Sequence, residues 1–133
     1  CLTNVVKMIR RVIFSIVFSV ILVSCATDTS SSLNSVSAEE FSRIMEEENG
    51  VQVLDVRTES EYLKGHLPNA LNINIRDTAF HSRVLELLEK DRPVAVYCRS
   101  GNRSKTASQV LADLGYTQVY EFGGIITWQY DIE

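Results

Sequence analysis

The stretch PVAVYCRSGNRSKTASQVLADLG, residues 93–115, decides the fold. Pro93 opens it, and Val94, Ala95, Val96 and Tyr97 form a short apolar run of strand-forming residues. A run of that length between a proline and a polar turn reads as a buried strand. Ser100, Gly101 and Asn102 are turn residues. Ala107, Val110, Leu111 and Leu114 then recur at helical spacing, and Gly115 closes the helix. A strand, a tight loop and a helix in that order are a unit of a parallel α/β sheet. Cys98 stands at the carboxyl end of the strand, where open α/β sheets place their reactive groups.

The flanking sequence repeats the pattern. Ser37 and Glu40 form a capping-box pair ahead of a helix whose face is Phe41, Ile44 and Met45, ended by Asn49 and Gly50. Residues 51–54 read as a strand ending at Asp55. Thr58 and Glu61 form a second capping box for a short helix that stops at Gly65. Residues 70–75 read as a strand. Phe80, Val84, Leu87 and Leu88 fit a helical stripe that ends near Lys90. Residues 118–121 read as the last strand, and Gly123 and Gly124 precede a terminal helix carrying Ile126 and Trp128. Strands apolar along their whole length, alternating with helices, predict a parallel sheet covered on both faces.

Cys98 reads either as a small buried hydrophobe or as an ionised nucleophile. Gly101 lets the backbone approach a ligand closely. A helix beginning near Arg103 and Ser104 turns its free N–H groups and positive dipole end toward the loop. Arg99 and Arg103 add fixed positive charge. Together these favour a thiolate and an anionic substrate.

The chain has 133 residues and a net charge of −4. Lys7, Arg10 and Arg11 are the only charged groups in residues 1–24. Taking those three from the thirteen basic residues leaves ten against seventeen acidic ones, −7 for residues 25–133. So acidic a domain has no broad basic footprint, which argues against nucleic acid as a partner. Cys1, Cys25 and Cys98 are the only cysteines, and with His66 and His81 they make no zinc pattern. No metal or cofactor is expected.

Residues 8–11 supply a basic start and residues 12–23 an apolar run. That run is shorter than the roughly 20 residues a membrane-spanning helix needs. Basic start, apolar segment and the small residues Ser24 and Ala26 are the parts of an export signal. LVSC, residues 22–25, resembles the lipobox of bacterial lipoproteins. That resemblance implies cleavage before Cys25, a lipid on it, and an exported domain held on a membrane at the cell-envelope side. Translation is expected to start at Met8, with residues 1–7 upstream of it. Residues 25–35 are expected to be the lipidated Cys25 and a flexible tether, and residues 36–133 one domain. With Cys25 acylated, Cys98 is the one thiol left.

CRSGNRS, residues 98–104, resembles the active-site loop of single-domain rhodanese-like sulfurtransferases. DVRTESEYLKGHLPNA, residues 55–70, resembles the family's Asp-Val-Arg to Gly-His-Ile-Pro-Gly-Ala signature. FGGIITW, residues 122–128, resembles its ending. Asn69 departs from the usual glycine, but asparagine tolerates left-handed backbone better than most residues. The resemblance implies a rhodanese-like α/β fold, with about five strands in a mostly parallel sheet and helices on both faces. It also implies transfer of a sulfane sulfur, from a donor such as thiosulfate to cyanide or a thiol, through a persulfide on Cys98.

Carried over residue by residue, Cys98 is the nucleophile. Amides of Arg99, Ser100, Gly101, Asn102, Arg103 and Ser104 cradle the sulfur, and Arg99 and Arg103 bind the donor's oxygens. Asp55 and Arg57 support the loop, with Arg57 expected to pair with Glu61. His66 is expected to be structural. The implied partners are small sulfur-containing anions and thiol acceptors, met by a monomer. Two rivals are a non-catalytic persulfide carrier, sensor or binding module, and a Cys-based phosphatase or arsenate reductase on the same fold. The phosphatases carry one more residue between Cys and Arg than the four between Cys98 and Arg103, and the smaller loop suits sulfur better than phosphate.

Overall fold

The computed structural model describes residues 31–133. The expected export signal, Cys25 and residues 26–30 of the expected tether lie outside the described residues.

Five strands form one sheet: β1 (Ser32–Ser35), β2 (Gln52–Asp55), β3 (Leu71–Asn72), β4 (Val94–Tyr97) and β5 (Gln118–Glu121). Their order is β1-β5-β4-β2-β3 and every pairing is parallel. The helices are α1 (Ala38–Glu47), α2 (Glu59–Leu63), α3 (Phe80–Leu87) and α4 (Asn102–Asp113). The expected α/β fold with a parallel sheet between helices is therefore the observed one.

The central strand β4 shows why the sheet is double-sided. Successive side chains of a strand point to opposite faces. Val94, Val96 and Cys98 join the cluster under α3 and α4, with Phe80, Val84, Ala107 and Leu111. Ala95 and Tyr97 join the opposite cluster with Phe41 of α1 and Phe122. Phe41 and Phe122 sit with ring centroids 4.4 Å apart, and Trp128 meets Phe41 edge-on.

Helix starts follow the sequence. Ser37 Oγ accepts from Glu40 N, and Thr58 with Glu61 forms a complete capping box. Asn69 adopts a φ of 60°, the left-handed conformation its side chain tolerates.

Four expectations differ from the structure. Ser32–Ser35, expected at the end of the tether, pair with β5 as a strand. That strand is exposed along its length, so no apolar pattern marks it. The strand expected over residues 70–75 is only Leu71–Asn72, because beyond it Ile73 N donates to Asp55 O and Ile75 N to Val56 O outside the regular ladder. The terminal helix is a single 3-10 turn, Ile125–Thr127, with Trp128 at its end. Arg57 pairs with Asp55 and not with Glu61.

That last pair is the buried polar node beneath the loop. Asp55 is fully buried, and it accepts from the Arg57 backbone N–H at 2.9 Å and from Arg57 Nη2 at 2.7 Å. Tyr97 Oη donates to the same carboxylate at 2.6 Å. Removing one partner of a buried pair strands the other charge. Asp55→Ala should therefore lower unfolding stability in urea by about 3–5 kcal/mol. A loss below about 1 kcal/mol would show that Arg57 finds water instead.

Candidate active site

Cys98 follows β4 directly and is 1% exposed. The chain turns at Gly101, whose φ of +108° suits a residue without Cβ. That turn aims Gly101 N–H at Cys98 Sγ, 3.0 Å away, as α4 begins. Ser104, in the first turn of α4, is fully buried and places Oγ 3.5 Å from the sulfur.

Burial by itself pushes the Cys98 thiol up. The Ser104 hydroxyl and the N–H groups of Ser104, Gly101 and Ser100 outweigh it and hold the thiol below its usual value. The cradle is thus built of dipoles. Fixed N–H groups around a buried atom stabilise charge without having to reorganise.

The two arginines have different situations. Arg103 forks onto Glu61, with Nη1 2.8 Å from Oε2 and Nη2 2.9 Å from Oε1. Hydrogen bonds from Arg103 are the main reason that Glu61 lies well below the usual carboxylate range. Arg103, to which the resemblance gives the donor's oxygens, ties α4 to α2. Arg99 is exposed. Among the described residues no ion pair includes Arg99 or Lys64. Both line a cleft of about 390 Å³ with Ile125, Ile126 and Ile132. Ser100 and Asn102 are exposed on the rim of the loop.

The loop is clamped from below. Ile125 N donates to Cys98 O at 2.9 Å and Ile126 N to Arg99 O at 3.1 Å. Gly124 makes that approach possible: a Cβ there would lie 2.3 Å from Arg99 O. Asp55 and Arg57 support the site from β2, and Arg57 Nη2 also donates to Gly65 O at 2.7 Å. Leu67 N donates to Tyr97 Oη at 3.0 Å. Burial first, then the Asp55 carboxylate, push the Tyr97 hydroxyl well above its usual value, so it stays a donor. His66 stacks on Tyr62 with ring centroids 3.7 Å apart, and its Nδ1 lies 3.0 Å from Tyr62 O.

Sequence reasoning missed Tyr97, Gly124 and Glu121. Glu121 is 2% exposed, and its Oε2 lies 3.3 Å from Ser104 Oγ. A glutamate ending the strand Gln118–Glu121 was the available signal.

The family model for the rhodanese-like domain matches residues 37–131. A sulfurtransferase of Allochromatium vinosum is 36% identical over 97 residues, spanning 72% of this chain and 88% of its own length. The thiosulfate sulfurtransferase GlpE of Coxiella burnetii is 34% identical over 80 residues, 59% of this chain and 72% of its own. The putative sulfur carrier protein YrkF of Bacillus subtilis is 30% identical over 94 residues, 71% of this chain and 49% of its own. Among solved structures, a rhodanese-related protein of Thermoplasma volcanium superposes with a TM-score of 0.61 at 31% identity. That match covers 75% of this chain and 97% of the other.

Alkylation of Cys98 by iodoacetamide, followed on the peptide that contains it, measures the cradle. Reactivity in the wild type should appear below the usual thiol value of about 8.5. Ser104→Ala removes a donor and should move the midpoint up. An unmoved midpoint would show that the amides suffice alone.

Proposed function

This chain belongs to the rhodanese-like domain family, and from that premise we propose that it transfers a sulfane sulfur through a persulfide on Cys98. The Cys98 thiolate attacks the outer sulfur of a donor such as thiosulfate. The donor's S–S bond breaks, and sulfite leaves with the electron pair. A thiophilic acceptor, cyanide or a thiolate, then attacks the outer sulfur of the persulfide and returns Cys98 as thiolate.

The observation that carries this reading is the Gly101 N–H held 3.0 Å from a buried sulfur in a cradle of dipoles. Such a pocket suits one anionic sulfur atom. With Arg103 held by Glu61, Arg99 and Lys64 are the cations free to meet the donor's oxygens and an anionic thiol acceptor at the mouth. No general base is required once the thiol is ionised.

A second reading is a persulfide carrier. It is favoured by the 1% exposure of Cys98, which would hold a bound sulfur away from solvent. The two differ in turnover: an enzyme releases many sulfurs per chain, whereas a carrier releases one.

Mass measurement on the intact protein after exposure to thiosulfate tests the chemistry. One added sulfur should appear, cyanide should remove it, and Cys98→Ala should never gain it. An unchanged wild-type mass would sink the reading for that donor, and turnover of an aryl phosphate would point to a phosphatase instead.

We also propose that the domain is exported and anchored by a lipid on Cys25, a reading supported by the LVSC sequence at residues 22–25. Cys25→Ser should release the protein from the membrane fraction. Wild-type protein found wholly soluble would contradict the anchor.

A further inference from the structure

Glu121 is the buried carboxylate that the transfer chemistry leaves unused. It ends β5 at 2% exposure, and no ion pair among the described residues includes it. Its two oxygens have separate partners. Ser35 Oγ of β1 donates to Oε1 at 2.5 Å. Ser104 Oγ of α4 lies 3.3 Å from Oε2.

Ser104 Oγ is the junction. It lies 3.5 Å from Cys98 Sγ, 3.3 Å from Glu121 Oε2 and 3.0 Å from Gly101 O, yet a hydroxyl has one hydrogen to give. Gly101 O already accepts from Lys105 N at 3.0 Å, so it can release that hydrogen without being left bare. The contest is between sulfur and carboxylate.

Counting hydrogens separates the states. With a thiol, S–H donates to Ser104 and Ser104 donates to Glu121. With a thiolate, Ser104 donates to the sulfur, and the chain is complete only if Glu121 carries a proton and donates back to Ser104. If both ends are anionic, one Ser104 hydrogen must serve two buried acceptors, so either the sulfur keeps only its amide donors or Glu121 keeps only Ser35.

We propose that Glu121 is the proton acceptor for Cys98, acting through Ser104, so that sulfur and carboxyl share one proton. As the Sγ–H bond breaks, a new Oγ–H bond forms. The former Ser104 hydrogen passes to Oε2. No electron changes hands, and no proton leaves the pair. Glu121 is a positioning residue: it reaches the sulfur only through Ser104.

Other charges near the pair are already balanced or exposed. Arg103 acts on the sulfur across space and is held by Glu61. Asp55 of β2 is paired with Arg57. Arg99 and Lys105 are exposed. Toward Glu121, β1 presents Ser35, and α4 presents Ser104.

The inference deepens the sulfur-transfer reading of Cys98, but its test needs no sulfur donor, so either can fail alone. Alkylation of Cys98 in the full chain is followed against pH in the wild type and in Glu121→Gln. A glutamine amide donates to Ser104 permanently, as the protonated acid would, and carries no charge. Wild-type reactivity should rise in two steps. Glu121→Gln should give one step, with its midpoint lower by about one pH unit, the size of coupling at which two sites stop titrating separately. In a Ser104→Ala background, adding Glu121→Gln should change little. Coincident wild-type and Glu121→Gln profiles, or a midpoint moved upward, would overturn the proposal.

Should Glu121→Gln not fold, infrared spectroscopy of the wild type decides. A protonated-carboxyl band should be present over the pH range in which Cys98 becomes reactive and vanish once Cys98 is alkylated. No such band in that range would overturn the proposal.

Discussion

Everything above the sheet rests on the Asp55 carboxylate. It binds Arg57 through backbone and guanidinium and takes the Tyr97 hydroxyl from the neighbouring strand. Arg57 passes on to Gly65 O, and Tyr97 accepts from Leu67 N. One buried acceptor therefore fixes β2, β4 and the turn after α2, the three pieces that flank the loop of Cys98. The charge is tolerable there because each carboxylate oxygen has short, charge-assisted or hydroxyl donors. Tyr97 is the last residue of β4, so the node also sets where the strand ends and where Cys98 begins.

The division of labour between charges and dipoles follows from this frame. Arg57 and Arg103 each face a carboxylate and serve to lock elements together. The sulfur itself is met by N–H groups and one hydroxyl. A guanidinium in contact with the sulfur would bind the anion more strongly but would also hold it. Dipoles at fixed positions favour the anion and leave it able to react, consistent with a sulfur that is loaded and released. Arg99 and Lys64 line the neighbouring cleft and enter no ion pair among the described residues.

Much of this was legible in the residues. The unbroken apolar run of β4, the capping boxes of Ser37 and Thr58, and Gly101 after Cys98 each report a local requirement, and local requirements leave local marks. What failed was pairing across the sheet. Glu61 sits four residues from Arg57 in the sequence, yet it meets Arg103 of α4, because α2 turns its face toward that helix. β1 was read as tether because its four residues are exposed and all but Leu33 are polar, and its strand conformation comes from the edge that β5 offers. Gly124 was seen as part of a glycine pair, but the reason for it, the backbone of Arg99 pressed against it, exists only in three dimensions.

The central claim is that Cys98 takes sulfur from a donor and holds it before any acceptor arrives. Isotope exchange tests this most directly. Protein is mixed with thiosulfate and labelled sulfite and with no acceptor, and the label in thiosulfate is followed with time. A persulfide intermediate requires sulfite to leave and return, so label should enter thiosulfate at a rate proportional to protein and be absent with Cys98→Ala. No exchange in the wild type, under conditions where sulfur still reaches an added acceptor, would mean that donor and acceptor react together, and the account of a loaded Cys98 would be wrong.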